Sequence, residues 1–525
     1  MNSTIERRLN LLIQAGQQHL LKGGLKGLEK ESLRITPQGS IAQTSHPEAL
    51  GSALTHPYIT TDYSEALIEL ITPPFADSSQ TLGFLEDLHR FVYRHIGDEL
   101  LLATSMPCAI EGDESIPIAQ YGRSNIGKMK HVYRRGLAWR YGRAMQAIAG
   151  IHFNYSVNEA LWPVWQELLE NRGDAGAFIA ASYFGMTRNI HRYGWLILYL
   201  FGSSPAFCRS FFSGREELAS RFSQLNASTL YRPHATSLRM SDIGYRNDSQ
   251  AGLNICFNEL ESYVDSLTRA INTPYPAYQR IGVKVDGEYR QLNANILQIE
   301  NEYYSPVRPK QVAHSGEKPT LALKRRGVAY LELRSVDLCC FQPLGISLEK
   351  MRFLEVFLLF CLMLESPQLT EEGAAEANRN ALAVACCGRT PNFHIQRGGH
   401  EVSMLEWGRE IAEGMRSIAA ILDRGEPESP YANALENSFT CFELPEHTPS
   451  AQVLAVLGET GESFVQFAQR LSAEHAAILR NSPLSAESER TFRQEAETSL
   501  AEQQSIEAKD TLNFDEFLQN YFAQG

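Results

Sequence analysis

Two glutamates one residue apart, Glu29 and Glu31, sit in the stretch Gly27-Leu28-Glu29-Lys30-Glu31-Ser32-Leu33-Arg34. Side chains alternate faces along an extended strand, so both carboxylates point the same way. Held roughly 6 to 7 Å apart at an effective dielectric of ~20, two ionised carboxylates repel by about 2 to 3 kcal/mol. Something must offset that: pairing with Lys30 or Arg34 on a solvated edge strand, or a divalent cation shared between them.

The same problem recurs along the chain. Residues 59–73 hold Asp62, Glu65 and Glu69, and their β-branched end and the Pro73-Pro74 stop favour a strand that turns Glu69 inward. Asp62 reads equally as a turn residue or as a ligand. Residues 149–156 alternate Ile151, Phe153 and Tyr155 against His152 and Asn154. Residues 295–304 alternate as well, placing Gln298, Glu300 and Glu302 together, and residues 328–334 set Tyr330, Glu332 and Arg334 opposite Leu331 and Leu333. Gathered in one place, Glu29, Glu31, Asp62, Glu69 and Glu332 cannot all stay ionised without cations. Oxygen donors with one histidine, His152, suit Mg2+ or Mn2+ better than zinc, and such ions invite a polyphosphate. Arg239, in the turn-rich residues 236–245, and Arg334 supply charge for a phosphoryl group in transit.

These groups need one scaffold. A mostly antiparallel sheet with helices on its apolar side and an acid-rich, water-filled cavity on the other places them all, which is an α+β fold. Helical periodicity in residues 5–21, 82–94, 133–145 and 179–201 supplies the packing helices. From residue 346 onward helical patterns dominate, with a linker at 425–429, a polar helix at 482–504 and an amphipathic end at 514–522 that docks back on the body. The expected division is a catalytic, sheet-bearing region at 1–345 and a helical region at 346–525 packed on it, with function in the first.

Composition narrows the partners. With 525 residues, 43% hydrophobic and 21% charged, the chain can bury a substantial core, and its net charge of -13 argues against nucleic acid or an anionic membrane. The longest apolar runs, residues 195–201 and 356–364, are shorter than the ~20 residues that span a bilayer, and the first fourteen residues do not read as an export signal. Nine cysteines without a CxxC pair, including the vicinal Cys339-Cys340 and Cys386-Cys387, suit reduced thiols in the cytoplasm. A cytoplasmic monomer acting on small molecules is expected. Residues 122–128 fit G-x-x-x-x-G-K but continue into Met129, where a P-loop needs a hydroxyl, so they are not read as one.

At this point a family resemblance emerges. Gly27-Leu28-Glu29-x-Glu31-x-Leu33-Arg34, His46-Pro47-Glu48-Ala49-Leu50-Gly51-Ser52-Ala53-Leu54-Thr55-His56, Ile59-Thr60-Thr61-Asp62, Ser105-Met106-Pro107-Cys108, Gly150-Ile151-His152-Phe153-Asn154 and Leu297-Gln298-Ile299-Glu300-Asn301-Glu302 together resemble bacterial glutamate–cysteine ligases. The resemblance implies a fold akin to glutamine synthetase, a funnel-like sheet with helices outside, and the first step of glutathione synthesis. ATP would phosphorylate the γ-carboxylate of glutamate, and the amine of cysteine would attack the acyl phosphate. It implies Glu29, Glu31, Asp62, Glu69, His152 and Glu332 as the magnesium ligands, and Arg239 and Arg334 as stabilisers of the transferring charge. Tyr133, Leu137, Tyr245 and Tyr304, with Arg239, would form the cysteine pocket, and Gln146 and Asn154 would hold the glutamyl portion. Two other readings stay open from the residues alone: a related ligase joining glutamate to another amine, and a multi-metal phosphodiesterase.

Overall fold

The computed structural model describes residues 1–244, 253–314 and 316–524. The paired glutamates lie on its longest strand, β1 (Leu25–Ile35). Around it assemble β2 (Ile59–Thr61), β3 (Leu67–Ile71), β4 (Leu100–Leu101), β5 (Ile151–Ser156), β6 (Val307–Lys310) and β7 (Tyr330–Val336). The strand order is β6-β7-β5-β1-β3-β2, with β4 paired to the end of β1, and every pairing is antiparallel. Register is what matters for chemistry, because a slip of one residue would turn each strand over. Glu31 lies opposite Glu69, Glu29 opposite His152, and Asn154 opposite Glu332.

The alternate residues Leu28, Ile68, Leu70, Ile151, Phe153, Tyr155, Leu331 and Leu333 are fully buried on the other face. They join one continuous core that runs from Ile5 to Phe492 and draws on both halves of the chain. Helix Leu348–Met363 is apolar on nearly all sides and lies buried within it, as such a composition requires. Two lysines share this apolar face with the leucines. Lys26 Nζ pairs with Glu355 Oε1 at 2.9 Å, both side chains 1% exposed, and Tyr431 donates its hydroxyl to Glu355 Oε2 at 3.0 Å. Lys30 Nζ lies 2.7 Å from His89 Nε2, and Arg34 pairs with Glu99 at 2.7 Å. Neither Lys30 nor Arg34 therefore neutralises Glu29 or Glu31, and the edge-strand reading is excluded.

Three segments differ from expectation. Residues 59–73 form a hairpin of two strands, with Asp62 in the turn, where its N–H donates to Leu67 O at 2.9 Å. Residues 295–304 are no strand: they fold into turns ending in a 3-10 turn at Glu300–Glu302. Side chains satisfy the backbone there in place of a neighbouring strand, since Glu302 accepts the Gln298 N–H at 2.6 Å and Gln298 accepts that of Leu292 at 2.9 Å. The helix expected at 133–145 runs instead over Asn125–Tyr141 and stops at Gly142, whose φ of +80° lies in the left-handed region.

The beginning of helix Asn125–Tyr141 is closed by the chain's own C-terminal part. Asp510 accepts both the backbone and side-chain N–H of Asn125, Glu507 pairs with Arg123, and a Cβ on Gly122 would come within 2.1 Å of Gln503. Residues 122–124 thus make a packed turn, and 125–128 form the first turn of that helix. No helix among the described residues is long and apolar enough to cross a membrane, and all nine cysteines are free.

Removing one member of the Lys26–Glu355 pair strands a buried charge. Lys26→Met is expected to lower unfolding free energy by about 3 to 5 kcal/mol in urea titrations, and the double variant with Glu355→Leu to recover most of it. Additive losses would show that the two residues do not act as a pair.

His56 sets a pH dependence. Its Nδ1 accepts the N–H groups of Tyr58 at 3.0 Å and Ile59 at 2.9 Å at the start of β2, so the ring must be neutral, and burial pushes it down from 6.5 to about 4. An unfolded chain takes up the proton first, so this contribution is full above pH 6.5 and is lost as pH falls toward 4. Melting temperatures recorded from pH 7 to 5 should fall less steeply for His56→Asn than for the parent; parallel slopes would remove His56 from the account.

Candidate active site

The polar face of the sheet collects its acids by register. His152 Nδ1 lies 2.9 Å from Glu29 Oε2, and Asn154 Nδ2 donates to Glu29 Oε1 at 2.8 Å. The Gly150 N–H donates to Glu31 Oε2 at 2.7 Å. Lys310 Nζ and Arg334 hold the two oxygens of Glu332 at 3.1 and 3.0 Å. With the Nδ1 proton of His152 given to Glu29, the Nε2 lone pair faces Glu31 Oε1 at 3.6 Å. Facing a carboxylate in a buried site, that nitrogen needs either a proton of its own or a cation between the two.

Potential ligand atoms converge in two sets, Glu29 with His152 and Glu332, and Glu31 with Glu69 and His152, each within 4.8 Å. His152 belongs to both. Carboxylate oxygens with one imidazole are the donors of a hard divalent cation, so the residues fit one. Electrostatics agrees. Burial, then the charges of Glu29, Asp62, Glu31 and Glu332, push the Glu69 carboxyl well above its ordinary range. Burial also raises Glu31, with Asp62 adding to it. Burial works the same way on Glu332, but Lys310, Arg334, His152 and Arg308 outweigh it and hold that carboxyl well below. Asp62 stands outside both sets of converging atoms. Its carbonyl accepts from Tyr121 at 3.0 Å and from Arg134 Nε.

Arg239 belongs to a buried turn, with its side chain 1% exposed, and its charge bears on Glu31. Its Nη2 donates to Arg334 O at 2.8 Å, where the β5–β7 ladder slips register between Leu333 and Val336. Asp337, held by Ser204 at 2.6 Å and Ser237 at 2.9 Å, lies 3.7 Å from the guanidinium. A Cβ on residue 150 would fall 2.1 Å from Arg239 Nη2, so only glycine admits the arginine there.

Of the residues expected to form the pocket, Tyr133, Gln146 and Tyr304 lie near one another. Gln146 Nε2 donates to the Tyr304 hydroxyl at 2.8 Å, and Tyr141 meets the Tyr304 ring edge-on at 6.3 Å. Tyr133 and Leu137 lie one turn apart on helix Asn125–Tyr141, and burial, then Glu302 and Tyr304, push the Tyr133 hydroxyl far up. Glu302 fixes this side through a fully buried pair with Arg140 at 2.8 Å and by accepting the Tyr141 hydroxyl at 2.7 Å. Tyr245 lies outside the described residues. The sequence reading missed Lys310, whose pairing with Glu332 needs the β6–β7 register, and Lys130 and Arg134, which share a helical face with Tyr133 and Leu137.

Comparison with known proteins gives consistent results. The glutamate–cysteine ligase family model matches residues 9–384. The chain is 49% identical over 523 residues to the glutamate–cysteine ligase of Pseudomonas entomophila, covering 100% of this chain and 98% of that one. It is 50% identical over 526 residues to that of Azotobacter vinelandii, covering 100% and 99%. Among solved structures it is similar to a glutamate–cysteine ligase from Francisella tularensis in complex with AMP, with a TM-score of 0.90, 34% identity and coverage of 95% and 98%. It is also similar to a bifunctional glutathione synthetase from Pasteurella multocida, with a TM-score of 0.72, 27% identity and coverage of 89% of this chain and 55% of that one.

The two sets of donors make a test that is independent of turnover. Glu29→Gln should weaken Mn2+ binding by about ten-fold or more in calorimetric titrations. Glu65→Gln should leave it unchanged, because that carboxylate instead accepts the N–H groups of His46 and Gln120, each at 2.8 Å. Equal losses in both variants would mean that the effect is general and not local.

Proposed function

This chain belongs to the glutamate–cysteine ligase family, and from that premise we propose how its cleft joins the γ-carboxylate of L-glutamate to the amine of L-cysteine with ATP, giving γ-glutamylcysteine, ADP and phosphate. The observation that carries the reading is the convergence of Glu29, Glu31, Glu69, Glu332 and His152 on one sheet face. A carboxylate is a poor electrophile until one oxygen becomes a good leaving group. Transfer of the γ-phosphoryl of ATP to the glutamate γ-carboxylate supplies that group. The amine of cysteine then attacks the acyl carbon, and phosphate departs with the bond's electron pair.

We assign Glu29, Glu31, Glu69, Glu332 and His152 as ligands of Mg2+ or Mn2+. Asp62 completes the set, since its charge bears on both Glu31 and Glu69. A divalent cation held there supplies positive charge to the phosphate oxygens. The protein's own share is positional and electrostatic. Arg334, steadied by Glu332, and Arg239, packed against Gly150, place fixed positive charge where negative charge accumulates on the transferring group. Gln146 and Asn154 hold the glutamyl portion. Tyr133, Leu137, Tyr304 and Tyr245, with Arg239, surround cysteine. Residues 1–345 carry this chemistry and 346–525 support it, in a cytoplasmic monomer acting on small molecules.

The deciding experiment follows ADP release by purified protein with ATP and Mg2+ in the presence of glutamate, of cysteine, and of both. Sustained release is expected only with both, together with a product of the mass of γ-glutamylcysteine. Release indifferent to the amino acids would overturn the reading.

A further inference from the structure

Asp337 directly follows β7, and its side chain is buried away from water. Three donors from elsewhere in the chain hold its two oxygens. Oδ2 accepts the Ser203 N–H at 2.9 Å and the Ser204 hydroxyl at 2.6 Å, and Oδ1 accepts the Ser237 hydroxyl at 2.9 Å. The two serine segments are bridged to each other as well: the Ser204 N–H donates to Thr236 O at 3.3 Å and the Leu238 N–H to Ser204 O at 2.8 Å. One carboxylate thus fastens three separate stretches at a single point, and its orientation is set independently of Arg239.

The same Oδ1 lies 3.7 Å from Arg239 Nη1, while Arg239 Nη2 donates to Arg334 O at 2.8 Å. Both arms of the guanidinium therefore meet one short segment, residues 334–337, where the ladder to β5 slips register between Leu333 and Val336. A bond through Nη2 alone leaves a planar guanidinium free to swing about it, and a second anchor at Nη1 sets the plane. Serving the serines does not by itself call for a charge, because two of the three donors are hydroxyls that turn to suit a neutral amide. A carboxylate kept from water is offset by the guanidinium it faces.

We infer that Asp337 is a positioning residue of the ligation reaction: it sets the plane of the Arg239 guanidinium relative to Arg334, so that the two arginines present their charge together to the transferring phosphoryl group. The inference rests on the ligase reading above, under which Arg239 carries that charge. Asp337 belongs to neither set of converging metal-ligand atoms, and it acts through Arg239. Ser204 and Ser237 act in turn through Asp337. A group that steadies developing charge must be held closely, since a misplacement of about 1 Å can lower a rate about a hundred-fold.

The test is a double-variant cycle on the full-length protein with ATP, Mg2+, glutamate and cysteine, with a melting curve for each variant. Asp337→Asn keeps the size of the side chain and should lower kcat about ten-fold or more, while the ATP and glutamate KM values stay within about two-fold. In an Arg239→Lys background, whose compact ammonium has no plane to set, the same change should lower kcat by less than about two-fold further. Ser204→Ala, which removes one donor and leaves the charge, should lower kcat by a smaller factor with the same dependence on Arg239, and it carries the test if Asp337→Asn does not fold. A residue that merely holds the fold together would lower kcat by the same factor in both backgrounds; that result, or an unchanged kcat in folded variants, overturns the inference. A parent that fails to make product from glutamate and cysteine overturns the ligase reading instead, so the two failures are distinguishable.

Discussion

Mutual repulsion among carboxylates brought together by strand register is the constraint around which this molecule is built. Glu31 faces Glu69 across one ladder, and Glu29 reaches the neighbourhood of Glu332 through His152 and Asn154. No nearby basic side chain on β1 relieves this, because Lys26, Lys30 and Arg34 are committed elsewhere. The fold holds the arrangement by burying the opposite face of the same strands in a core shared with the helices after residue 346. Losing the acid geometry would require turning a strand over, which would expose Leu28, Phe153 and Leu333 to water. The stabilising face therefore enforces the strained one.

The period-two signal was legible wherever a strand had one wet and one dry side. β1, β5 and β7 were readable for that reason, and with them Glu29, Glu31, His152, Asn154, Glu332 and Arg334. The same signal misled at residues 295–304. Alternation there arises because Gln298, Glu300 and Glu302 turn inward to satisfy backbone and helix partners, a role that a solvated strand face would mimic in sequence. Arg239 could be found but not placed: a turn-rich stretch with a cation suggests an exposed loop, whereas the side chain is buried against Asp337 and Gly150. The resemblance named residues that local pattern did not, Leu137 and Gln146 among them, but gave no sign of Lys130 or Arg134. Cations on a helix read as a solvated face until the sheet opposite them is known.

The helical C-terminal part is more than covering. Ser499 accepts the Ser52 N–H at 2.9 Å and its carbonyl takes the Thr55 hydroxyl at 2.6 Å, so helix Ala486–Lys509 braces the segment leading to β2. Helix Phe514–Phe522 packs with Met129, Val132 and Leu292, and Tyr133 lies against the same cluster. Tyr133 and Leu137 thus rest on an element held by residues hundreds of positions later.

That long-range clasp has a bearing on how the protein is made. Translation delivers the chain from its N-terminus at a pace of ~5 to 20 residues per second, and the helix bearing Lys130, Tyr133 and Arg134 leaves the ribosome well before Asp510, which caps its first turn. Through that interval the nascent polypeptide can assemble β1, β3 and β5 but has no lock on the pocket wall. The pocket wall is therefore fastened at its first turn only after a residue 385 positions further along has emerged, so it is secured long after it is made.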